Sequence, residues 1–161
     1  MEVLGFRSDP KASRYAVTSK HNDKFILKNA DSDSKLSLPA SIEENDVSRR
    51  MEWVYREILA IFDTYPNITK VVIKQNEFTK TDTKAKRWST FSDAAVALAC
   101  AHKNISVELK TYGSIGTTRK ETKKHAETRI GRTVKYWDDK MADAVNAAWL
   151  GFRNNEPTRS D

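Results

Sequence analysis

The segment Ile68-Thr69-Lys70-Val71-Val72-Ile73 constrains this chain more than any other. Successive side chains of a strand point to opposite faces, so a nearly continuous β-branched run has no face to give to water. Such a strand belongs in the middle of a sheet with helices on both sides, as parallel strands do. Its neighbours fit that role. Upstream, Val47, Met51, Val54, Tyr55, Ile58, Ile61, Phe62 and Tyr65 recur at three- and four-residue intervals and form one helical stripe, which Pro66-Asn67 ends. Downstream, residues 89–102 read as an Ala-rich helix whose small side chains allow close approach to a sheet.

The remaining elements follow from shorter signals. Residues 2–7 are apolar enough for a buried strand, and Ser8-Asp9-Pro10 breaks it. Residues 14–18 and 24–28 are two more strands, joined by His21-Asn22-Asp23. Residues 31–38 are polar and Ser-rich and read as a loop. Ser41-Ile42-Glu43-Glu44 has capping-box spacing for the first long helix, with Asn45 or Asp46 as a second possible start. Residues 76–87 read as a basic loop, 105–109 as a fifth strand, and 113–116 as a turn. Residues 117–130 read as a polar helix capped by Thr117 or Thr118, and a last helix opens at Asp138-Asp139 with Met141, Ala144, Val145, Ala148 and Phe152 as its stripe. This order predicts an α/β fold: a five-stranded mixed sheet, three antiparallel strands then parallel ones, with helices on both faces. One domain over 1–154 is expected, with a frayed tail at 155–161.

Composition enters through charge. Lys and Arg total 28 against 22 acids, a net +6. Residues 119–135 hold seven basic and two acidic side chains, whereas residues 1–46 hold seven and eight. A segregated positive region is the footprint of a polyanion binder. The competing reading is a solvated helix face. One cysteine excludes an intramolecular disulfide, no Cys/His spacing suggests zinc, and no apolar run has the length of a membrane span. A reduced, cytoplasmic protein with no membrane partner is expected.

Three short motifs add a resemblance. Val3-Leu4-Gly5-Phe6-Arg7, Val72-Ile73-Lys74-Gln75 and Lys140-Met141-Ala142-Asp143-Ala144-Val145, in this order of elements, resemble the ribonuclease H-like superfamily. More narrowly they resemble the Holliday-junction resolvase (RuvC) family and its bacterial relatives, and they suggest a bacterial or phage source. In that family the first strand ends in Asp, Glu precedes Gln in the second motif, and two Asp sit three residues apart in the last helix. Four carboxylates there hold two divalent metals that activate water and neutralise the scissile phosphate. The resemblance places Arg7, Lys74 and Lys140 at three of those positions and leaves Asp143 at the fourth. Mg²⁺ takes oxygen ligands, and these cations supply none. At about 5 Å in an effective dielectric of about 20, one positive side chain and Mg²⁺ repel by about 6–7 kcal/mol. The resemblance therefore implies a pseudo-nuclease with no metal cofactor, its cations replacing the metal ions or pairing with Asp143 structurally. The alternative is a Mg²⁺ or Mn²⁺ site on displaced acids: Asp9, Glu77 and Asp139 or Asp143.

A nucleic-acid face is expected beside that centre. Gly113-Ser114-Ile115-Gly116-Thr117-Thr118 resembles an anion cradle leading into Arg119, Lys120, Lys123 and Lys124, with Lys80, Lys84, Lys86 and Arg87 in the neighbouring loop. An ordinary strand-ending turn is the other reading. Trp88 is either a packing residue or a stacking face for a base. Three functions stay open: a non-catalytic nucleic-acid binder, a metal-dependent nuclease on shifted carboxylates, and a protein-interaction module that keeps only the fold. Partners are accordingly nucleic acid, a second copy of the chain, or another protein.

Overall fold

The computed structural model describes residues 1–153; the tail read at 155–161 lies outside the described residues. The strands are β1 (Glu2–Arg7), β2 (Ala12–His21), β3 (Lys24–Leu27), β4 (Lys35–Ser37), β5 (Ile68–Lys74) and β6 (Ser106–Lys110). The helices are α1 (Val47–Thr64), α2 (Lys84–His102), α3 (Tyr112–Ile115), α4 (Thr122–Arg129) and α5 (Asp139–Arg153). The sheet runs β3-β2-β1-β5-β6, antiparallel from β3 to β1 and parallel from β1 to β6, with β4 added to β2. This is the mixed α/β sheet expected from the pattern, with one extra short strand.

The two central strands are buried on both faces, and their alternation sorts the core. Leu4, Phe6, Val71 and Ile73 face α1 and α2, packing with Val54, Ile58, Phe62, Val96 and Ala99. Val3 and Val72 face α5, packing with Met141, Ala144, Val145 and Ala148. Gly5 lies on that second face, where a Cβ would stand 1.9 Å from the Ala144 carbonyl oxygen and 2.6 Å from the Ala148 nitrogen. No side chain fits there, so α5 lies directly on the β1 backbone. Arg7 and Lys74 are the next residues of the same two alternating series. They emerge where the apolar layer under α5 ends.

Several boundaries differ from expectation, each for a visible reason. The 31–38 loop contains β4, because Leu36 is buried in the first core and pairs opposite Ser13. Buried Asn29 ties the approach to β2, accepting from Val17 N and donating to the Tyr15 and Asp33 carbonyls. Asp46 caps α1 by accepting from Arg49 N at 3.1 Å, so Ser41 is not the cap. α2 opens at Lys84, where Thr83 Oγ1 accepts from Lys86 N at 3.2 Å. Lys84, Lys86 and Arg87 are therefore helical and not in a loop. The polar helix starts at Thr122 and not at 117. The Gly113–Gly116 stretch forms most of short α3, and Gly116 ends it in the left-handed conformation at φ 71°. Thr117 Oγ1 is engaged with His125 Nδ1 at 2.8 Å and caps nothing.

Among the described residues no helix is long and apolar enough to cross a membrane. Cys100 is buried and its thiol is pushed up to about 12 by burial. Gly5→Ala should lower stability in urea denaturation by about 3 kcal/mol or more, since backbone has to move. Gly113→Ala, where an added Cβ meets nothing within 4 Å, serves as the matched control and should shift it by less than about 0.5 kcal/mol.

Candidate functional site

Beyond the carboxyl ends of β1 and β5 lies a cavity of about 570 Å³, lined by Arg7, Lys74, Lys140 and Asp143 together with Glu77, Tyr112, Arg119, Lys123, Asp138 and Asp139. The four positions singled out in the three motifs thus come together in one cleft. Ligand sites in open α/β sheets form at these strand ends.

Asp143 is the hub. Thr122 Oγ1 donates to its Oδ1 at 2.7 Å, Tyr112 Oη donates to Oδ2 at 2.9 Å, and Arg7 Nε lies 3.3 Å from Oδ2. Burial raises its pKa, and those two hydroxyls, Arg7 and Lys74 oppose the rise. Arg7 also donates to the Lys74 carbonyl and to Asn76 Oδ1. Lys74 is only 1% exposed. Its ammonium donates to the Gln75 carbonyl at 2.6 Å, pairs with Glu77 at 2.9 Å and sits 3.8 Å from the Tyr112 ring centroid. Burial lowers the Lys74 pKa against the pull of Glu77. Burial would raise Glu77, but the Tyr112 amide and Lys74 outweigh it and hold that carboxyl below its ordinary value.

Of the displaced acids, Glu77, Asp139 and Asp143 line this cavity. Asp9 is spent on the Lys11 and Ala12 amides and on Lys140, and it lines no part of the cavity. Among the described residues no group of three His, Cys, Asp or Glu side chains is placed to hold a metal. A divalent ion of the kind the fold family implies does not fit this lining: Arg7 stands against Asp143 and Lys74 against Glu77, so each of these carboxylates already has a cation beside it.

The basic residues divide. Arg119 and Lys123 are exposed on the cavity rim and make no ion pair among the described residues. Lys120 and Lys124 are exposed nearby but do not line this cavity. Arg129 is turned inward, donating to the Ile115 and Gly116 carbonyls and stacking 3.9 Å from the Trp149 centroid. Lys84 pairs with Glu44, Arg87 with Asp82, and Lys86 donates to Thr79 and to the Thr81 carbonyl. Lys80 is exposed on the β5–α2 loop. Gly113, Gly116, Thr117 and Thr118 lie outside the cavity lining. Trp88 is a packing residue, buried beneath Arg50 at 4.2 Å and edge-on to Phe91.

No protein-family model matches the sequence, and no curated protein matches it. Solved structures do. Thermus thermophilus RuvC in complex with a Holliday junction substrate superposes with a TM-score of 0.74 at 13% identity, over 93% of this chain and 92% of that one. The fold is that of RuvC. The yeast mitochondrial Holliday junction resolvase follows at 0.62 and 16%, over 94% and 77% of the two chains. The fowlpox virus resolvase, solved with substrate Holliday junction DNA, follows at 0.57 and 13%, over 98% and 100%.

Within this RuvC-type fold, sequence reasoning did not reach Tyr112, Thr122, Asn76 or Asp93. The first three act through contacts made only on folding. Asp93 carried a signal, as the one acid within an otherwise small and apolar stretch of α2. It is 4% exposed, and burial pushes its carboxyl up to about 7 against Ser8, Arg7 and Lys74. A carboxyl whose native pKa lies above its unfolded value favours folding below about pH 4, and that contribution fades as pH rises through 7. The stability of Asp93→Asn relative to the parent should therefore rise by up to about 4 kcal/mol between pH 4 and pH 8, measured by denaturant titration at each pH; a pH-independent difference would refute it.

Proposed function

We propose that this chain is a non-catalytic, nucleic-acid-binding domain of RuvC-type fold. A phosphate of the nucleic-acid backbone lies in the cavity where the resolvase family gathers carboxylates. One observation carries this reading: Arg7, Lys74 and Lys140 line one cavity at the strand ends together with Asp143, which pairs with Arg7, while Glu77 pairs with Lys74 and Asp9 with Lys140. Arg119 and Lys123 on the rim extend the positive surface, and Gly113–Lys124 supplies the basic element beside it. The resolvases solved with Holliday junction DNA support branched DNA as the first ligand to try.

The chemistry separates binding from cutting. Guanidinium and ammonium groups neutralise a phosphate through charge-assisted hydrogen bonds. They cannot ionise a coordinated water, which is what a divalent metal contributes to hydrolysis. A phosphate held here is bound and left intact. A nuclease reading draws on the fact that Glu77, Asp138, Asp139 and Asp143 line the same cavity. Glu77 is engaged by Lys74, however, and Asp138 by Arg14 at 2.9 Å.

Gel shifts at low salt should show a complex with a four-way junction, and affinity should fall steeply with salt. Replacing Arg119 and Lys123 by Ser should flatten the slope of log K against log [salt] by about 0.9 for each phosphate that is no longer neutralised. Incubation with Mg²⁺ or Mn²⁺ should leave the junction uncut. Absence of any complex with junction, duplex or single-stranded DNA or RNA would remove the binding reading. Cleavage that disappears in Asp143→Asn would instead establish the nuclease.

A further inference from the structure

The loop between α4 and α5 is tied down at several points and yet displays apolar surface. Val134 N donates to the Ala30 carbonyl at 2.7 Å, the buried Thr133 hydroxyl donates to the Lys135 carbonyl, and Trp137 Nε1 donates to Glu127. Among these anchors Val134 is 76% exposed and Tyr136 is 42% exposed. Tyr136 also has a backbone φ of 61°. Among the described residues the other non-glycine positions with positive φ are Asn22, Asp23 and Asn104, whose short polar side chains tolerate that conformation. A bulky ring does not. A strained residue whose side chain faces outward points to a use at the surface.

The surroundings are positive. Lys35 Nζ lies 4.4 Å from the Tyr136 ring centroid. Arg132 and Lys135 are exposed and make no ion pair among the described residues. The loop also runs straight into the first cavity, whose lining includes Asp138, Asp139 and Lys140. Lys35 lies on β4, which pairs with β2, so Tyr136 stands on the β2 side of β1, whereas β5 lies on the other side.

An exposed aromatic ring beside unpaired cations suits a single strand, whose bases stack on the ring while its phosphates meet the cations. An acidic protein segment would also satisfy the cations, but continuity with a cavity read as a phosphate site favours nucleic acid. We propose that the α4–α5 loop is a second contact surface for the same nucleic acid, with an unpaired base stacked on Tyr136 and phosphates of that strand against Arg132 and Lys135. This rests on the phosphate reading of the first cavity and adds a preference for unpaired strand. Every base has a π-face, so the surface is indifferent to sequence.

The test uses the full chain and two labelled single strands, an oligothymidylate and an abasic oligomer of equal length, read by fluorescence anisotropy at low salt. The parent should bind the base-bearing strand about tenfold more tightly. Tyr136→Phe should keep that ratio. Tyr136→Asn, whose side chain accepts a left-handed backbone, should keep the fold by its melting curve and cut the ratio about fivefold. Replacing Arg132 and Lys135 by Ser should flatten the slope of log K against log [salt] by about 0.7 for each single-strand phosphate no longer neutralised. A ratio near one in the parent, with both strands bound, overturns the surface and spares the phosphate reading. So does a ratio unchanged in Tyr136→Asn, or an unchanged salt slope in the Ser variant. Failure to bind either strand while a four-way junction is bound overturns the surface alone. Failure to bind all three overturns both readings.

Discussion

One buried carboxylate organises the end of the sheet. Asp143 receives Arg7 from β1, Tyr112 from α3 and Thr122 from α4, so three separately positioned elements converge on one helix position. Arg7 and Lys74 repel each other; Asp143 offsets both charges, and Glu77 pairs directly with Lys74. Removing one partner of such a set leaves uncompensated buried charge, costing about 3–5 kcal/mol. The position of Asp143 depends in turn on Gly5, because α5 reaches the sheet only where β1 carries no side chain. Backbone contact, helix placement and charge balance therefore form one chain of dependence.

The sequence made the fold legible where periodicity was sustained. The β5 run and the α1 stripe each span enough residues for spacing to decide the element, and both are present as read. β4 was illegible because three residues carry no period, and Leu36 is its only large apolar side chain buried in the core. The start of α2 was hidden by its charges: Lys84, Lys86 and Arg87 look like a solvated loop until Thr83 caps them. The site divides in the same way. Arg7, Lys74, Lys140 and Asp143 could be placed together from short motifs resembling a known family. Tyr112, Thr122 and Asn76 could not, since nothing local marks a hydroxyl or amide that acts across 21 to 69 positions of chain.

Net charge located the site less well than the motifs did. Of the seven cations between residues 119 and 135, Arg119 and Lys123 line the cavity. Arg129 closes the packing under Trp149. A basic segment is a statement about the field around the molecule, which steers a polyanion and raises its rate of encounter. It does not say which side chains touch.

The difference between a metal and a fixed cation also bears on what the proposed site can discriminate. A divalent ion is held by several ligands and can shift or exchange as the substrate's geometry changes, which suits a reacting phosphate. Arg7 and Lys74 are locked by Asn76, Asp143, Glu77 and Tyr112, and neither can follow a phosphate that moves. In the proposed function, their rigidity would favour one backbone geometry, a selection by shape. Shape reading leaves base identity unspecified, since phosphate contacts position a nucleic acid without carrying sequence information.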